Sequence, residues 1–385
     1  MTKNYELKTL GSVATYINGR AFKPSEWEST GLPIVRIQNL TDKNAKCHYS
    51  SATYEEKYKI HNGDLLFAWS ASLGAHIWNQ NDAWLNQHIF KVIPNDNIDK
   101  LYLYYYLQKV IAELYLKTHG SGMVHITKGP FMNTSIPVPS YTEQSRIVAH
   151  IEELFSELDK AVDTLKTTKE QLEVYRQAVL VDAFRVATNS THLKIGYVCA
   201  KIVDCPHSTP KWEKNGKLCL RTTNFKRGYL DLQSPNYVSE ETFNDRNRRI
   251  IPQPGDVLYS REGSVLGIAC TIPSNVYPCL GQRMMLLRSG EKLNNRYLMH
   301  YLNSPMVTNH VIATKGGTGS PHINVGDIKE FQIPIPSLEE QSNIVRQIEE
   351  QLSSCDNVEK TVDTALAQAD AMRQSILKQA FEGKI

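Results

Sequence analysis

Long hydrophobic stretches are missing from this 385-residue chain. The longest uninterrupted apolar and aromatic run is Leu101–Leu107, whereas a helix that crosses a bilayer needs about 20 such residues. The opening residues, MTKNYELKTLGSV, also lack the apolar core of a secretory signal peptide. A composition of 41% hydrophobic and 22% charged residues is ordinary for a globular protein, so it excludes wholesale disorder and collagen-like structure. The length allows two or three domains.

The sequence also has no closely spaced pair of cysteines. None of its seven cysteines forms a C-x-x-C motif, and their number is odd. Both observations argue against a disulfide framework and against a zinc ribbon. We therefore expect reduced thiols and a cytoplasmic location.

Motifs that carry catalysis or bind metals are absent as well. The glycine-rich segment Gly316–Ser320 lacks the Lys-Ser/Thr ending of a phosphate-binding loop, and Gly120–Gly122 lacks the third glycine of a dinucleotide site. There is no H-E-x-x-H, no G-x-S-x-G and no Asn/Asp-Pro-Pro-aromatic motif of an amino-methyltransferase. His125 and His322 have no third ligand beside them, so they indicate loop hydrogen bonds rather than a metal site. The sequence predicts no catalytic residue and no bound metal.

An internal repeat is the strongest feature that is present. Ile136–Phe184 and Ile333–Phe381 align without a gap at an offset of 197 residues, with 22 identities in 49 positions. Chance would give two or three identities. The sequence therefore contains a duplication.

Weaker matches extend the repeat into the segments before each of these copies. LPIVRIQNL at 32–40 resembles KLCLRTTNF at 217–225, and GDLLFAWSASLG at 63–74 resembles GDVLYSREGSVLG at 255–267. Asn-Gln-His at 86–88 corresponds to Gly-Gln-Arg at 281–283, and the Gly-x-Gly…His-Ile loops at 120–126 and 317–323 correspond to each other. The chain is therefore two copies of one unit, each a globular part followed by a long helix.

The spacing of apolar residues in the repeated segments is typical of a coiled coil. The steps alternate between four and three residues over about five heptads, and neither segment contains proline or glycine after its start. Helices of ~42 residues would span ~60 Å, too long for either helix to bury its apolar stripe in its own globular part. We predict that the two helices pair antiparallel; the alternative is that each docks on its own domain. The predicted contact positions are Ile147, Ile151, Leu154, Leu158, Leu165, Leu172, Ile344, Ile348, Val358, Val362, Ala369, Met372 and Ile376.

The globular parts are predicted to be mixed, with short strands bounded by glycine, asparagine or proline and one helix before each glycine-rich loop. The fold class is therefore α+β: two mixed α/β domains with β-rich cores, in a pseudo-twofold arrangement, joined by two long antiparallel helices. The predicted boundaries are 1–140, 141–187, 188–337 and 338–385, alternately globular and helical.

Charge separates by segment in the same way. Residues 1–135 carry a net charge of +3 and residues 191–332 carry +7, whereas the helices at 141–186 and 338–385 carry −3 and −4. Basic residues supply most of the sequence-independent affinity for DNA, because they neutralise phosphates. The pattern indicates globular parts that bind a polyanion and helices that face protein.

The whole chain closely resembles the specificity subunits of type I restriction–modification systems. The resemblance is carried by the paired I-P-x-P-S…E-Q helix starts at 136–144 and 333–341 and by the segment LKQAFEGKI at 377–385. It implies that each globular part is a target recognition domain reading one half of a split, asymmetric DNA sequence. It further implies that the helices are spacers that fix the gap between the half-sites.

The same resemblance implies partners for this chain. Two modification subunits would dock on it and methylate adenine N6 with S-adenosylmethionine, and restriction subunits with motor and nuclease activity would join where the system has them. No cofactor and no catalytic residue is expected in this chain itself. The acidic residues Glu152, Glu153, Glu349 and Glu350 could face the modification subunits or simply solvent.

Candidate DNA-binding residues follow from the matched repeat positions and from the unmatched loops. The matched positions, which could equally serve the fold, are Arg36, Asn39, Gln87, Gly120, Gly122, His125, Lys128, Arg221, Asn224, Arg261, Gln282, Gly317, Gly319 and His322. The unmatched loops are the stronger source of base-reading side chains, because arginine pairs with guanine and amides pair with adenine in the major groove. These candidates are Arg20, Lys211, Arg246 and Arg248.

Two rival functions remain at this stage. One is a protein–protein adaptor with a coiled-coil stalk and no role in DNA recognition, which a salt-sensitive duplex-binding assay would separate. The other is a nuclease or methyltransferase, which would be active as an isolated chain. No motif in the sequence favours the second.

Overall fold

The computed structural model describes residues 5–42, 44–71, 73–117, 124–125, 128–314 and 321–384. Packing divides the chain into unit 1, Met1–Leu165 with Thr364–Ile385, and unit 2, Lys166–Asp363. The predicted contact residues Gly120, Gly122, Gly317 and Gly319 lie outside the described residues, and so does the side chain of His125.

Unit 1 contains short strands, short helices and one longer helix. Its strands are β1 (Glu6–Thr9), β2 (Ala14–Asn18), β3 (Leu32–Val35), β4 (His48–Ser50), β5 (Lys59–Ile60), β6 (Leu65–Ala68), β7 (Ser70–Ala71), β8 (Gly74–Ile77), β9 (Ala83–Leu85), β10 (Ile89–Pro94), β11 (Val124–His125) and β12 (Ser135–Val138). Its helices are α1 (Leu10–Val13), α2 (Ile37–Thr41), α3 (Lys100–Lys117) and α4 (Lys128–Met132), and α5 (Tyr141–Arg185) begins here.

Unit 2 has a similar order of elements. Its strands are β13 (His192–Lys194), β14 (Cys199–Asp204), β15 (Lys217–Leu220), β16 (Phe225–Lys226), β17 (Tyr229–Leu230), β18 (Tyr237–Val238), β19 (Val257–Ser260), β20 (Ala269–Thr271), β21 (Cys279–Leu280), β22 (Met284–Ser289) and β23 (Gln332–Pro334). Its helices are α6 (Ile195–Val198), α7 (Glu240–Arg246), α8 (Asn295–Asn303), α9 (Pro305–Thr314) and α10 (Val325–Glu330), and α11 (Leu338–Phe381) begins here.

The central sheets of the two units have the same topology. An antiparallel four-stranded central sheet has the order β2-β10-β6-β8 in unit 1 and β14-β22-β19-β20 in unit 2. A second sheet contains one parallel pair, β3 with β9 and β15 with β21. In both units the first strand pairs with the strand before the long helix, as β1 with β12 and β13 with β23. The predicted α+β fold in two repeated copies is confirmed.

The central strands form because their side chains are buried on both faces. All four residues of β6 and all four of β19 are buried, which is why these segments, LLFA and VLYS, are mainly apolar rather than alternating. The outer side of each central sheet packs on the smaller second sheet, and the inner side packs on α3 or α8. Each unit therefore has a core of its own.

A phenylalanine from the end of a long helix completes each core. In unit 1 the ring of Phe381 lies edge-on to Tyr102 and Tyr106, with centroids 5.1 and 5.0 Å away. In unit 2 Phe184 meets Tyr297 and Tyr301 in the same way, at 5.1 Å from each. Edge-to-face rings add to the stabilisation from burial. The repeat therefore conserves a packing motif as well as a sequence.

The long helices pair antiparallel in each unit. The start of α5 and the end of α11 share the core of unit 1, and the end of α5 and the start of α11 share that of unit 2. Within unit 2, Lys169 lies 2.8 Å from Asp363 and Arg176 lies 2.7 Å from Asp356, so residue numbers rise on one helix as they fall on the other. The predicted pairing is confirmed, although each helix also docks on globular cores.

Two of the predicted helix contacts are wrong. Val358 is 43% exposed and Met372 is 55% exposed, while the charged residues that follow them, Glu359 and Arg373, are turned toward the facing helix. The guanidinium of Arg373 pairs with Asp159 and lies 4.4 Å from the ring centroid of Phe155. The apolar pattern selected Val358 and Met372, whereas the residues that contact the facing helix are their neighbours Glu359 and Arg373. At these turns ion pairs replace apolar contacts between the helices.

The other predicted contacts are buried or half-buried. The fully buried ones are Ile147, Ile151, Ile344, Ile348, Val362 and Ala369, and the half-buried ones are Leu154, Leu158, Leu165, Leu172 and Ile376. The packing units differ from the four predicted segments, because each long helix is divided between the two units.

Candidate nucleic-acid interface

One end of each central sheet brings several predicted residues together. In unit 1, Ala68 pairs with Ile89, so Trp69 and the dipeptide Gln87-His88 lie just beyond the last rung. In unit 2, Ser260 pairs with Met284, so Arg261 and Gln282-Arg283 hold the equivalent places. We call these places, with Asn18 and Asp204 at the ends of β2 and β14, the sheet end of each unit.

One backbone hydrogen bond is repeated at the two sheet ends. The N–H of Trp69 donates to the carbonyl oxygen of His88 at 3.3 Å, and the N–H of Arg261 donates to that of Arg283 at 3.1 Å. The side chains around this hydrogen bond differ between the units. One scaffold therefore presents two chemistries.

The sheet end of unit 1 is mainly aromatic. The indole N–H of Trp69 donates to Asn18 Oδ1 at 3.3 Å, and the His88 ring lies 5.5 Å from the indole. Gln87 Nε2 is 3.3 Å from His88 Nε2. A cavity of about 190 Å³ opens beside the indole, lined by Asn18, Trp69, Phe90, Lys128 and Phe131. The predicted residue Lys128 is exposed here and supplies the positive charge of the site.

The sheet end of unit 2 is ionic. Arg261, which is 8% exposed, donates two hydrogen bonds to Asp204 at 2.8 and 3.0 Å, and His207 Nε2 lies 3.1 Å from the same carboxylate. Thr209 donates to Gln282 Oε1 at 3.2 Å. Nε and Nη2 of the buried guanidinium of Arg261 are thus committed to Asp204. We therefore withdraw Arg261 as a base-reading residue and assign it to supporting the site.

The matched Arg-Asn pairs fix a turn in each unit. Asn39 Oδ1 accepts from the N–H of Arg36 at 3.0 Å, and Asn224 Oδ1 accepts from that of Arg221 at 2.8 Å. Both amide groups also donate to backbone carbonyls, so neither asparagine is available to a base. The arginine side chains lie over tryptophan rings, Trp27 at 5.7 Å and Trp212 at 5.3 Å. Arg36 and Arg221 remain candidates, whereas the asparagines serve the fold.

Of the four arginines and lysines predicted in the loops, two are committed to internal contacts. Arg246 is buried and donates to the carbonyls of Leu280, Gly281 and Ser208 at 2.8, 3.0 and 2.5 Å. These bonds tie a loop to the end of β21. We withdraw it as a base reader.

Arg20 lies 2.6 Å from Glu26, and its guanidinium sits 4.2 Å from the centroid of Tyr54. The hydrogen bond from Arg20 holds the pKa of Glu26 below its usual range. These contacts leave Arg20 little freedom to reach a base. By contrast, Arg248 is 79% exposed with only Asp245 near it, and Lys211 is exposed. They remain candidates.

Metal and membrane sites do not emerge from the described residues. In these ranges no three histidine, cysteine, aspartate or glutamate side chains come together as metal ligands. Likewise, no helix among them combines the length and apolar character needed to cross a bilayer. All seven cysteines are free thiols, and burial raises the pKa of Cys199 to about 12.

Comparison with known families decides what this two-copy scaffold is. The family described as "Type I restriction modification DNA specificity domain" matches residues 2–174 and 201–367, which is one match for each copy of the repeat. The chain belongs to this family.

Relatives from bacteria and archaea span nearly the whole chain. The EcoBI specificity subunit of Escherichia coli is 24% identical over 98% of this chain and 85% of its own length. The MjaVIII specificity subunit of Methanocaldococcus jannaschii is 23% identical over 100% and 93%, and the EcoKI subunit of Escherichia coli K12 is 22% identical over 100% and 90%. All three carry the name of type I restriction enzyme specificity subunits.

Solved structures share the fold of this specificity-domain family member. A chain from a structure of type I R-M complex assembly and conformational transition has a TM-score of 0.71 at 21% identity, covering 100% of both chains. The HsdS subunit from Thermoanaerobacter tengcongensis has a TM-score of 0.54 at 21% identity, covering 99% of this chain and 97% of its own.

Several sheet-end residues escaped the sequence analysis of this family member. Trp69, His88 and Arg283 became visible only once the strand register placed them beside Gln87, Gln282 and Arg261. The signal in the sequence was the match between residues 86–88 and 281–283. The identical glutamine was selected as a candidate, and the third residue, which differs between the copies, was not. Residues that differ between repeats are the ones that let two copies read different sequences.

The acidic helix residues behave in two ways. Glu349 lies 2.6 Å from Arg296 and 3.4 Å from the buried His300, so it is part of the core of unit 2. Glu152, Glu153 and Glu350 are exposed. Only the latter three remain candidates for contacting a partner.

Proposed function

We propose that this chain recognises an asymmetric, two-part DNA sequence and presents it to modification subunits. Each unit reads one half of the target through its sheet end and adjoining loops. The paired helices set the gap between the two halves.

The observation that carries this proposal is the pair of sheet ends. The two ends have the same strand register and the same backbone hydrogen bond but carry Asn18, Trp69 and His88 in one unit and Asp204, Arg261 and Arg283 in the other. A protein that recognises two different half-sites requires one scaffold in two copies with different side chains at the recognition surface. The two sheet ends meet this requirement.

Charge supports DNA as the partner of the globular parts. The net charges of +3 and +7 outside the long helices favour a polyanion, and the −3 and −4 on the helices disfavour it. We infer that the helices contact protein instead. The resemblance to specificity subunits makes two methyltransferase subunits the expected partners, with motor–nuclease subunits in systems that include them.

We further propose that this chain catalyses nothing by itself. Adenine N6 methylation would be carried out by the modification subunits, which bind S-adenosylmethionine. This chain would contribute sequence choice and geometry. The absence of recognisable catalytic motifs in the sequence is in keeping with this division of labour.

The deciding experiment is methylome sequencing of cells that carry or lack this gene, with the modification subunit present in both. We expect N6-methyladenine that depends on the gene, within a motif of two unlike halves separated by a fixed gap. The purified complex should bind that duplex with an affinity that falls steeply as salt rises.

Three outcomes would count against the proposal. Methylation without dependence on this gene would leave the chain no role in recognition. A palindromic motif would contradict two unlike readers. Complete failure of the complex to bind any duplex would favour the protein–protein adaptor.

A further inference from the structure

Arg283 has an unusual backbone conformation. Its φ is +68°, and the described residues contain only one other non-glycine residue with a positive φ, Asn275. Asparagine tolerates this region, whereas an arginine is seldom found there. His88, its equivalent in unit 1, has an ordinary negative φ. The strained turn is therefore specific to unit 2.

Contacts on both sides hold this turn in place. Before it, the N–H of Gly281 donates to the carbonyl of Leu220 at 2.9 Å, and buried Arg246 grips the carbonyl of Gly281 at 3.0 Å. A side chain at Gly281 would collide with Leu220, since a Cβ there would lie 2.3 Å from that carbonyl oxygen. After it, the carbonyl of Arg283 accepts from Arg261. Strain that its surroundings enforce in this way marks functional positions.

The side chain of Arg283 differs from those of the other arginines around it. Arg246 and Arg261 are buried and hydrogen-bonded to the protein, whereas the side chain of Arg283 is 48% exposed. Its nearest acid is Glu262, with Nε 3.6 Å from Oε1, too long for a hydrogen bond. Within the described part of the chain, Arg283 donates no side-chain hydrogen bond. The N–H groups of its planar guanidinium therefore lie at the sheet end and are free to donate hydrogen bonds to a ligand.

We propose that Arg283 is a specificity-determining residue of unit 2 that reads guanine in the major groove of its half-site. The guanidinium fork matches guanine O6 and N7, which accept two hydrogen bonds in one plane. Asp204 and Arg261 act as positioning residues beneath it. His88 cannot form this fork, so unit 1 recognises a different base pair at the equivalent place. This inference rests on the proposed function.

The test uses this chain assembled with its modification subunits. Duplexes carrying each single base-pair change in the target are competed for binding at one salt concentration. The variants are Arg283→Lys, which keeps the charge but loses the fork, and Arg283→Gly, which suits the positive φ. Arg185→Ala, an exposed arginine at the end of α5, is the charge-matched control.

We expect both Arg283 variants to lose discrimination at one G·C pair, by about 5- to 150-fold, while the other positions keep theirs. Arg283→Gly should unfold at or above the wild-type temperature, because glycine removes the strain, so lost specificity would not reflect misfolding. Arg185→Ala should change no preference.

Other results would overturn the inference. Retained discrimination at every position, relaxation at an A·T pair, or an equal loss at all positions, as expected from a phosphate contact, would each exclude guanine reading by Arg283. A wild-type complex with no sequence preference would instead defeat the proposed function.

Discussion

At the scale of single residues, one glutamine explains why the start of each long helix is repeated so closely. Gln144 is fully buried; its Oε1 accepts from the N–H of Asp99 at 2.8 Å, and its Nε2 donates to the carbonyls of Asn97 and Pro139, both at 3.0 Å. Gln341 makes the equivalent three bonds in unit 2, to Asn294, Lys292 and Pro336. The amide joins the helix start to the loop before α3 or α8. No other side chain of this size donates and accepts in this way.

Replacing this glutamine should therefore be costly in either unit. In Gln144→Ala or Gln341→Ala, three backbone groups lose the buried amide that bonds them, and we expect a loss of about 2–3 kcal/mol in the free energy of unfolding, measured by urea titration. Gln171→Ala, on the exposed face of α5, is the control and should change stability by less than about 0.5 kcal/mol. Equal effects at the buried and exposed sites would refute this explanation of the motif.

Glu349 makes the stability of unit 2 depend on pH. The hydrogen bond from His300, with help from Arg296 and against the effect of burial, lowers the pKa of Glu349 below its ordinary value of 4.5. A carboxyl whose pKa is lower in the folded state stabilises the fold above its unfolded pKa, and this contribution disappears as pH falls through the folded pKa.

We therefore expect Glu349→Gln to unfold at a lower temperature than wild type at pH 7 and to show a smaller further loss on acidification below pH 4.5. Thermal unfolding between pH 7 and pH 3 measures both. Glu350→Gln, exposed on the same helix, should follow the wild-type profile. A Glu349→Gln profile parallel to wild type would contradict the assignment.

At the scale of elements, the long helices show what periodicity can predict. The 3.5-residue spacing correctly predicted two long helices that pair, because a stripe of that length is too long to be buried by one globular part, and the duplication predicted that the pairing is antiparallel. It failed at Val358 and Met372, because apolar counting ignores charged residues that pair across helices. Arg176, for example, occupies a contact position through Asp356 and Glu359, at 2.7 and 2.9 Å.

Two valines of α11 provide a matched test of this helix face. Val362 is 5% exposed and Val358 is 43% exposed, although they lie one turn apart on the same helix. We expect Val362→Ala to lower the free energy of unfolding by about 2 kcal/mol and Val358→Ala by less than about 0.5 kcal/mol, since only the first leaves a cavity. The helix propensity change is the same in both variants, so it cancels. Urea titration of both proteins gives the comparison, and a loss at Val358 as large as that at Val362 would restore the predicted contact at both positions.

Site residues were harder to predict than the fold for a physical reason. Matching between repeats finds residues that both copies need, and some of these, such as Asn39 and Asn224, serve the fold. The sequence suggested Arg246 as an exposed cation, because it lies in the RNRR segment at 246–249. In the structure it is buried, because it donates to backbone carbonyls of residues that are distant in the sequence. Arg283 became recognisable only through its φ and the strand register. Whether such a side chain is buried or faces the site depends on contacts between residues that are far apart in the sequence, so local sequence does not predict it.

At the scale of the whole molecule, the long helices are the elements that both units share, so they can have a function that one unit alone could not provide. The helices α5 and α11 have 45 and 44 residues and each contributes to both cores. We have proposed that they set the gap between half-sites. Their length should then control the gap without changing which bases are read.

Lengthening both helices by three heptads tests this proposal. The insertions would follow Leu165 in α5 and Asp363 in α11, where each helix passes from one unit to the other. Twenty-one residues add about 32 Å of helix and return to the same helix face, and about 34 Å is one turn of B-DNA, so both the helix face and the DNA face are kept. Methylome sequencing should show both half-sites unchanged and the gap longer by about 9–10 base pairs. The same insertion in α5 alone breaks the pairing of the helices and should abolish methylation, whereas methylation at the original gap in the doubly lengthened protein would mean that the helices do not measure it.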